Sequence, residues 1–210
     1  MSETLNRALL VIDVQNEYVT GSLLIEHPPV QDSLRNIALA MDAAQAEQMP
    51  VIVVQHDAPE DSPLFAKGSA AWLLHPTVAK READHHIHKS MASVFAGTDL
   101  AQWLAQHRID TLSVCGYMTH NCVASTIFHA AHNGLKVEYL ADASGAPSYR
   151  NAAGAASAEE IHRVFSTVFH TGFAAVTTTE NWIAAVSAGR VIEADSIYMS
   201  NQRAKEALIA

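Results

Sequence analysis

Three residues of this 210-residue chain carry side chains suited to covalent acyl chemistry: Asp13, Lys89 and Cys122. A thiol becomes a nucleophile once it loses its proton, a carboxylate can take that proton, and an ammonium steadies the charge that results. Cys122 falls at the start of a stretch with helical spacing, from about Asn121 to Asn133. Unpaired N–H groups and the positive end of a helix dipole there favour a thiolate. Taken alone it reads more readily as a buried structural cysteine. Cys115, mid-strand beside Val114 and Gly116, takes that reading here. Asp13 closes an apolar run, where a carboxylate without a partner is costly unless it caps a turn. Lys89 comes at the end of an extended piece, HHIHK, where a solvated lysine is the ordinary explanation.

The elements that would position these groups are legible from hydrophobic periodicity. Ala8 to Ile12 is a fully apolar run and reads as a buried strand. Residues 30 to 48 place Val30, Leu34, Ile37, Ala38 and Met41 at helical spacing. VIVV at 51 to 54 is a second strand, and HHIHK a third extended piece after a long loop from 56 to 85. Loops of that length are uncommon in compact domains unless they serve a function. A helix runs from Thr98 through LAQWLAQH, with Asp99 in its first turn. TLSVCG is a strand, the helix of Cys122 follows and Gly134 closes it. Then come the strand KVEYLAD, the helix AEEIHRVFSTVF with a capping box from Ser157 to Glu160, the strand FAAV and the helix TTENWIAAV.

Apolar strands alternating with amphipathic helices predict an α/β fold. The expected architecture is three-layered and Rossmann-like, with a mostly parallel central sheet of about six strands covered by helices on both faces. Such sheets bind ligands beyond the carboxyl ends of their strands, where the strand order switches. Asp13, Lys89 and Cys122 each fall at such an end. Together they supply a base, a cation and a nucleophile on one edge of one sheet.

Bulk composition narrows the class further. The length fits one domain, residues 1–189, with a C-terminal extension, 190–210, whose weak helical periodicity could pack on a partner subunit. Apolar residues make up 49% and charged residues 17%, enough to build a continuous core rather than a disordered chain. A net charge of −9 argues against a nucleic-acid partner, which calls for a basic stripe. No run reaches the ~18 apolar residues of a membrane span. MSETLNR lacks a signal-peptide core, and two cysteines seven positions apart make no disulfide framework, so a reducing cytoplasm is expected. Neither G-x-x-x-x-G-K nor G-x-G-x-x-G occurs, so no nucleotide cofactor is expected.

At these residues the chain resembles the isochorismatase-like hydrolase superfamily, and its cysteine hydrolases in particular. ALLVIDVQNEY resembles the family's opening D-x-Q motif, and GSAAWLLHP its loop motif. KSMASVFAGTDLAQWL is similar to its lysine segment, and CGYMTHNCVASTIFHAAHNGLKVEYLADAS to its nucleophile segment. The similarity extends over roughly residues 8 to 186. It implies that Cys122 is the nucleophile, Asp13 the general base and Lys89 the stabilising cation. It also implies a cis peptide at Tyr117–Met118 that brings the Met118 and Cys122 N–H groups together as an oxyanion hole. Tyr18 and Trp72 would flank a flat substrate, Tyr117, Met118 and His120 would line the turn before the nucleophile and shape the same substrate pocket, and Gln15 would fix a loop.

The implied reaction is cleavage of an amide-type C–N bond of a small molecule through a cysteine thioester. The alternative is vinyl-ether hydrolysis of isochorismate or a similar compound, although relatives with that chemistry typically lack the cysteine. A thiol sensor or homo-oligomeric scaffold is a third reading, from outside enzymology. The resemblance further implies a homo-oligomer, dimer or tetramer. Nicotinamidases of the family hold a metal through an Asp-x-His pair and further histidines. Here the matching stretch is QHDAPED, which leaves Ala58 or Pro59 where a ligand belongs, and His75 alone remains. His85, His86 and His88 alternate along an extended piece and would not converge on one ion. No catalytic metal is therefore expected.

Overall fold

The computed structural model describes residues 5–207. Its centre is a six-stranded parallel sheet in the order β3-β2-β1-β4-β5-β8. The strands are β1 (Arg7–Ile12), β2 (Val51–His56), β3 (His85–Lys89), β4 (Thr111–Tyr117), β5 (Lys136–Gly145) and β8 (Ala175–Thr177). All six residues of β1 are buried, which is why it reads as an unbroken apolar run rather than an alternating one. Successive side chains still take opposite faces. Ala8, Leu10 and Ile12 join one core cluster, and Leu9 and Val11 the other.

Helices cover both faces, giving three layers. On one side α1 (Val30–Ala46) buries Leu34, Ile37 and Met41, the spacing of a single helical stripe, and α6 (Thr179–Ser187) buries Trp182. The four-residue α2 (Pro76–Ala79) adds Val78 to that side. On the other side lie α3 (Leu100–Gln106), α4 (Ala124–His132) and α5 (Ala158–Phe169). The capping box of Ser157 and Glu160 opens α5 as its sequence predicts.

Chain order runs outward from β1 through β2 to β3, then returns to the other side of β1 for β4. The strand order therefore switches between β1 and β4, and their ends are level, with Ile12 opposite Gly116. Asp13 follows one of these strands and Cys122 the turn after the other. Lys89 is the last residue of β3.

Several expectations need correction. The stretch 56–85 is not structureless: it contains α2 and is bridged to the sheet ends at Gln15–Leu74. The helix of Cys122 begins earlier, as a π-helical turn over Thr119–Val123 that leads into α4. A two-stranded hairpin, β6 (Tyr149–Asn151) and β7 (Gly154–Ala156), went unread because each strand is only three residues long and largely exposed, so it carries no apolar period. The C-terminal extension crosses back to β1, where Arg7 donates to the Arg190 carbonyl at 2.6 Å, and ends in α7 (Ile197–Ala207). Residues 208–210 of that extension lie outside the described residues. Among the described residues no helix is long and apolar enough to cross a membrane.

Candidate active site

Lys89 Nζ stands at the centre of the site. It lies 2.6 Å from Asp13 Oδ2, 3.2 Å from Cys122 Sγ and 3.2 Å from His56 Nδ1. The Lys89 and Asp13 side chains are fully enclosed, and Cys122 is 5% exposed. Apart from this ion pair, neither Asp13 oxygen has a hydrogen-bond partner among the described residues, which leaves the carboxylate able to take a proton. The structure thus gathers Asp13, Lys89 and Cys122, which are spread over more than a hundred positions of the chain, into one cluster.

Each arrives by a different device. Asp13 leaves β1 in the left-handed region, with φ of 51°, and its N–H donates to Val54 O at 3.0 Å. Lys89 pairs with His56 across β2 and β3, which sets those two side chains side by side. Cys122 is held through the π-turn, where Asn121 and Val123 N–H both donate to Met118 O. Thr126 Oγ1 donates to the Cys122 carbonyl at 2.6 Å and accepts from Val94 N–H, tying the segment after β3 to the nucleophile turn. Beneath the turn, Thr119 Oγ1 contacts His162 Nδ1, Tyr139 and Ser144 inside the core.

Burial and the neighbouring Asp13 charge push the Cys122 thiol up to about 12, and Lys89 only partly offsets them. Both act against the thiolate that a helix start by itself favours. For Lys89 burial opposes the charge, but Asp13 and Cys122 outweigh it and raise the ammonium above its ordinary value. Burial, then the Lys89 charge, lowers His56 and keeps its imidazole neutral.

The Tyr117–Met118 peptide is cis, as the resemblance implies. Tyr18 packs against Phe65 and Tyr117 beneath the cluster, and burial followed by the charges of Cys122 and Asp13 raises its phenol. Tyr117 departs from its expected place in the pocket wall. Its ring is wholly buried and its hydroxyl is taken by Ser33 of α1 at 2.6 Å, so it supports the site from behind. Trp72 is fastened by its Nε1, which donates to Asp57 at 2.7 Å, and by its ring, which is stacked on His88. Gln15 fixes the loop, donating to the His56 and Trp72 carbonyls and accepting from His56 N–H.

His120 bonds Tyr149 through Nε2 at 3.0 Å, while its buried Nδ1 has no partner among the described residues. Tyr149, on the hairpin, and His56 both stand at this site and were missed as site residues. His56 was findable: it ends an apolar strand, as Asp13 follows one. Tyr149 had no such signal.

The residues at the nicotinamidase-type metal position do not fit a metal. Despite the cost of burial, Lys67, His88 and Trp72 hold Asp57 down at about 2 and occupy its carboxylate. Two residues on from Asp57, Pro59 stands where the histidine of an Asp-x-His pair would be needed, and His75 Nδ1 is used to cap α2. His85 turns to Asp99 and His88 to Asp57, so that run diverges as expected.

Fold and site together define a three-layer α/β hydrolase with a cysteine at the switch point of its sheet. The Isochorismatase domain model matches residues 7–181. A crystal structure from Burkholderia xenovorans LB400 that carries a provisional isochorismatase assignment is 60% identical with a TM-score of 0.98, covering 99% of this chain and 100% of that one. The cysteine hydrolase of Pseudomonas syringae pv. phaseolicola 1448A is 28% identical with a TM-score of 0.82, over 89% of this chain and 95% of that one. The nicotinamidase of Escherichia coli (strain K12) is 27% identical, over 65% of this chain and 81% of that protein. The chain belongs to the isochorismatase family of hydrolases.

Proposed function

We propose that this hydrolase cleaves a C–N bond of a small amide through a thioester on Cys122. The observation that carries the reading is the position of Lys89 Nζ, within 3.2 Å of the thiol and 2.6 Å of the carboxylate. One cation touching both groups lets a proton move from Sγ to Asp13 inside a dry cluster while the negative charge always keeps its partner.

Sγ attacks the carbonyl carbon as its proton passes to Asp13. The carbonyl electron pair moves onto oxygen, toward the N–H groups of Met118 and Cys122. Collapse breaks the C–N bond, and the leaving nitrogen takes the proton from Asp13. Water, deprotonated by the same carboxylate, then attacks the thioester; the sulfur leaves and regains that proton. His120, whose Nδ1 is unpaired among the described residues, contributes substrate contacts in this reading together with Tyr18 and Trp72. The similarity to a nicotinamidase and a cysteine hydrolase supports amide chemistry over other hydrolyses. The reading includes a homo-oligomer in a reducing cytoplasm, where two free cysteines persist, acting on a small molecule without nucleic-acid or membrane partners.

Ammonia release across a panel of small amides tests this. At least one amide should be cleaved, and Cys122→Ala should lower its turnover by about 10³-fold or more. Unchanged turnover in that variant would rule out the covalent route. Isochorismate turnover that survives Cys122→Ser, with no amide cleaved, would select the vinyl-ether reading instead.

A further inference from the structure

We propose that Asp13, His56 and Cys122 form an inhibitory site for Zn²⁺, and that the Lys89 ammonium takes the metal's place in the metal-free protein. The cluster is a cation cage before it is anything else: an oxygen, a nitrogen and a sulfur donor surround one positive centre at 2.6, 3.2 and 3.2 Å. One donor atom from each of the three residues lies within 4.8 Å of the other two. Donors on a tetrahedral zinc, with bonds of about 2.0–2.3 Å, stand roughly 3–4 Å apart, so the cage needs to contract by about 1 Å.

The donor types select the ion. A thiolate with an imidazole and a carboxylate suits zinc, whereas calcium and magnesium prefer sets of oxygen. The scaffold also holds the donors ready. Asp13, His56 and the turn of Cys122 sit at the ends of β1, β2 and β4, three neighbouring strands in the order β2-β1-β4. This is a different set from the nicotinamidase-type position, whose Asp57 is already committed to Lys67, His88 and Trp72.

Binding releases the Cys122 thiol proton to solvent. Bonds form from zinc to Sγ, to the imidazole nitrogen and to one carboxylate oxygen. The Lys89 side chain withdraws with its proton kept. Two cations compete for one cage, so the metal-bound protein lacks both a free nucleophile and a free base.

Zinc chloride titrated into metal-free protein, with bound metal counted and Cys122 alkylation followed by mass spectrometry, tests the proposal without reference to any substrate. Zinc should bind one per chain and slow Cys122 alkylation about tenfold or more. His56→Ala should weaken binding by about tenfold or more, as loss of a ligand does, while its metal-free Cys122 remains open to the reagent. Lys89→Ala should tighten binding, and Lys89→Leu, which keeps the stem's packing, serves if the alanine variant does not fold. Undiminished alkylation at saturating zinc overturns the site. So does zinc affinity unchanged in His56→Ala, which would place the ion on other histidines. Affinity not raised by either Lys89 variant overturns the shared place. Because every readout is metal or thiol, the zinc site can stand or fall apart from the amide reaction.

Discussion

At Cys122 two neighbouring charges pull the thiol's acidity in opposite directions. Burial and Asp13 raise it, Lys89 lowers it, and the balance lies near 12. Asp13→Asn keeps the shape but removes the charge that opposes ionisation, leaving Lys89 to act alone. The thiol's pKa should therefore fall, and the pH at which iodoacetamide begins to modify Cys122 should fall with it. Hydrolysis should be lost at the same time, because no base remains. Alkylation at pH 9 that is faster in the variant than in wild type would bear this out; slower alkylation would show that Asp13 promotes the thiolate and would sink the charge balance described. Cys115, wholly buried and pushed up still further, is the internal control that stays unmodified. The residue types at positions 13, 89 and 122 were readable in the chain, because each stands at or beside the boundary of an element. The resting protonation state was not, because it depends on burial and on charges from distant strands.

At the scale of elements, the approach of β1 to β4 decides whether base and nucleophile meet. Gly116 makes that approach possible. It sits at φ of +102°, and a Cβ there would stand 2.1 Å from Ile12 O and 2.6 Å from Ile12 N. Both are backbone atoms and cannot swing aside. Gly116→Ala should cost on the order of 3 kcal/mol or more, lowering Tm by roughly 10 °C for a chain of this size. Thermal unfolding followed by circular dichroism measures it, and a loss under about 2 °C would mean the strands can part more easily than their packing indicates. The strands and long helices were legible because burial imposes a period on their side chains. The π-turn and the β6–β7 hairpin were not, since neither buries a stripe of its own.

For the whole molecule, α7 poses a problem of stability. Its 11 residues bury nothing, and Ile197 and Tyr198 are 72% and 69% exposed. A helix shorter than ~12–15 residues is marginal in water without a packing surface. We expect that surface to come from a second copy of the chain, in line with a homo-oligomeric enzyme. Sedimentation velocity should show a dimer or tetramer for the full chain and a smaller species for Ile197→Glu with Tyr198→Glu. A wild-type monomer would leave α7 without the partner proposed for it.

The amino-acid order by itself determined the layered α/β architecture, the strand ends at which reactive side chains fall, and the family. Those are local properties: periodicity, apolar runs and motif spacing are set by near neighbours along the chain. Tertiary structure alone decided that Tyr149 joins the site, that Tyr117 turns inward to Ser33, and that burial and Asp13 raise the Cys122 thiol. Each of these rests on contacts between residues far apart in the chain and on the low dielectric they create together, which no local pattern encodes.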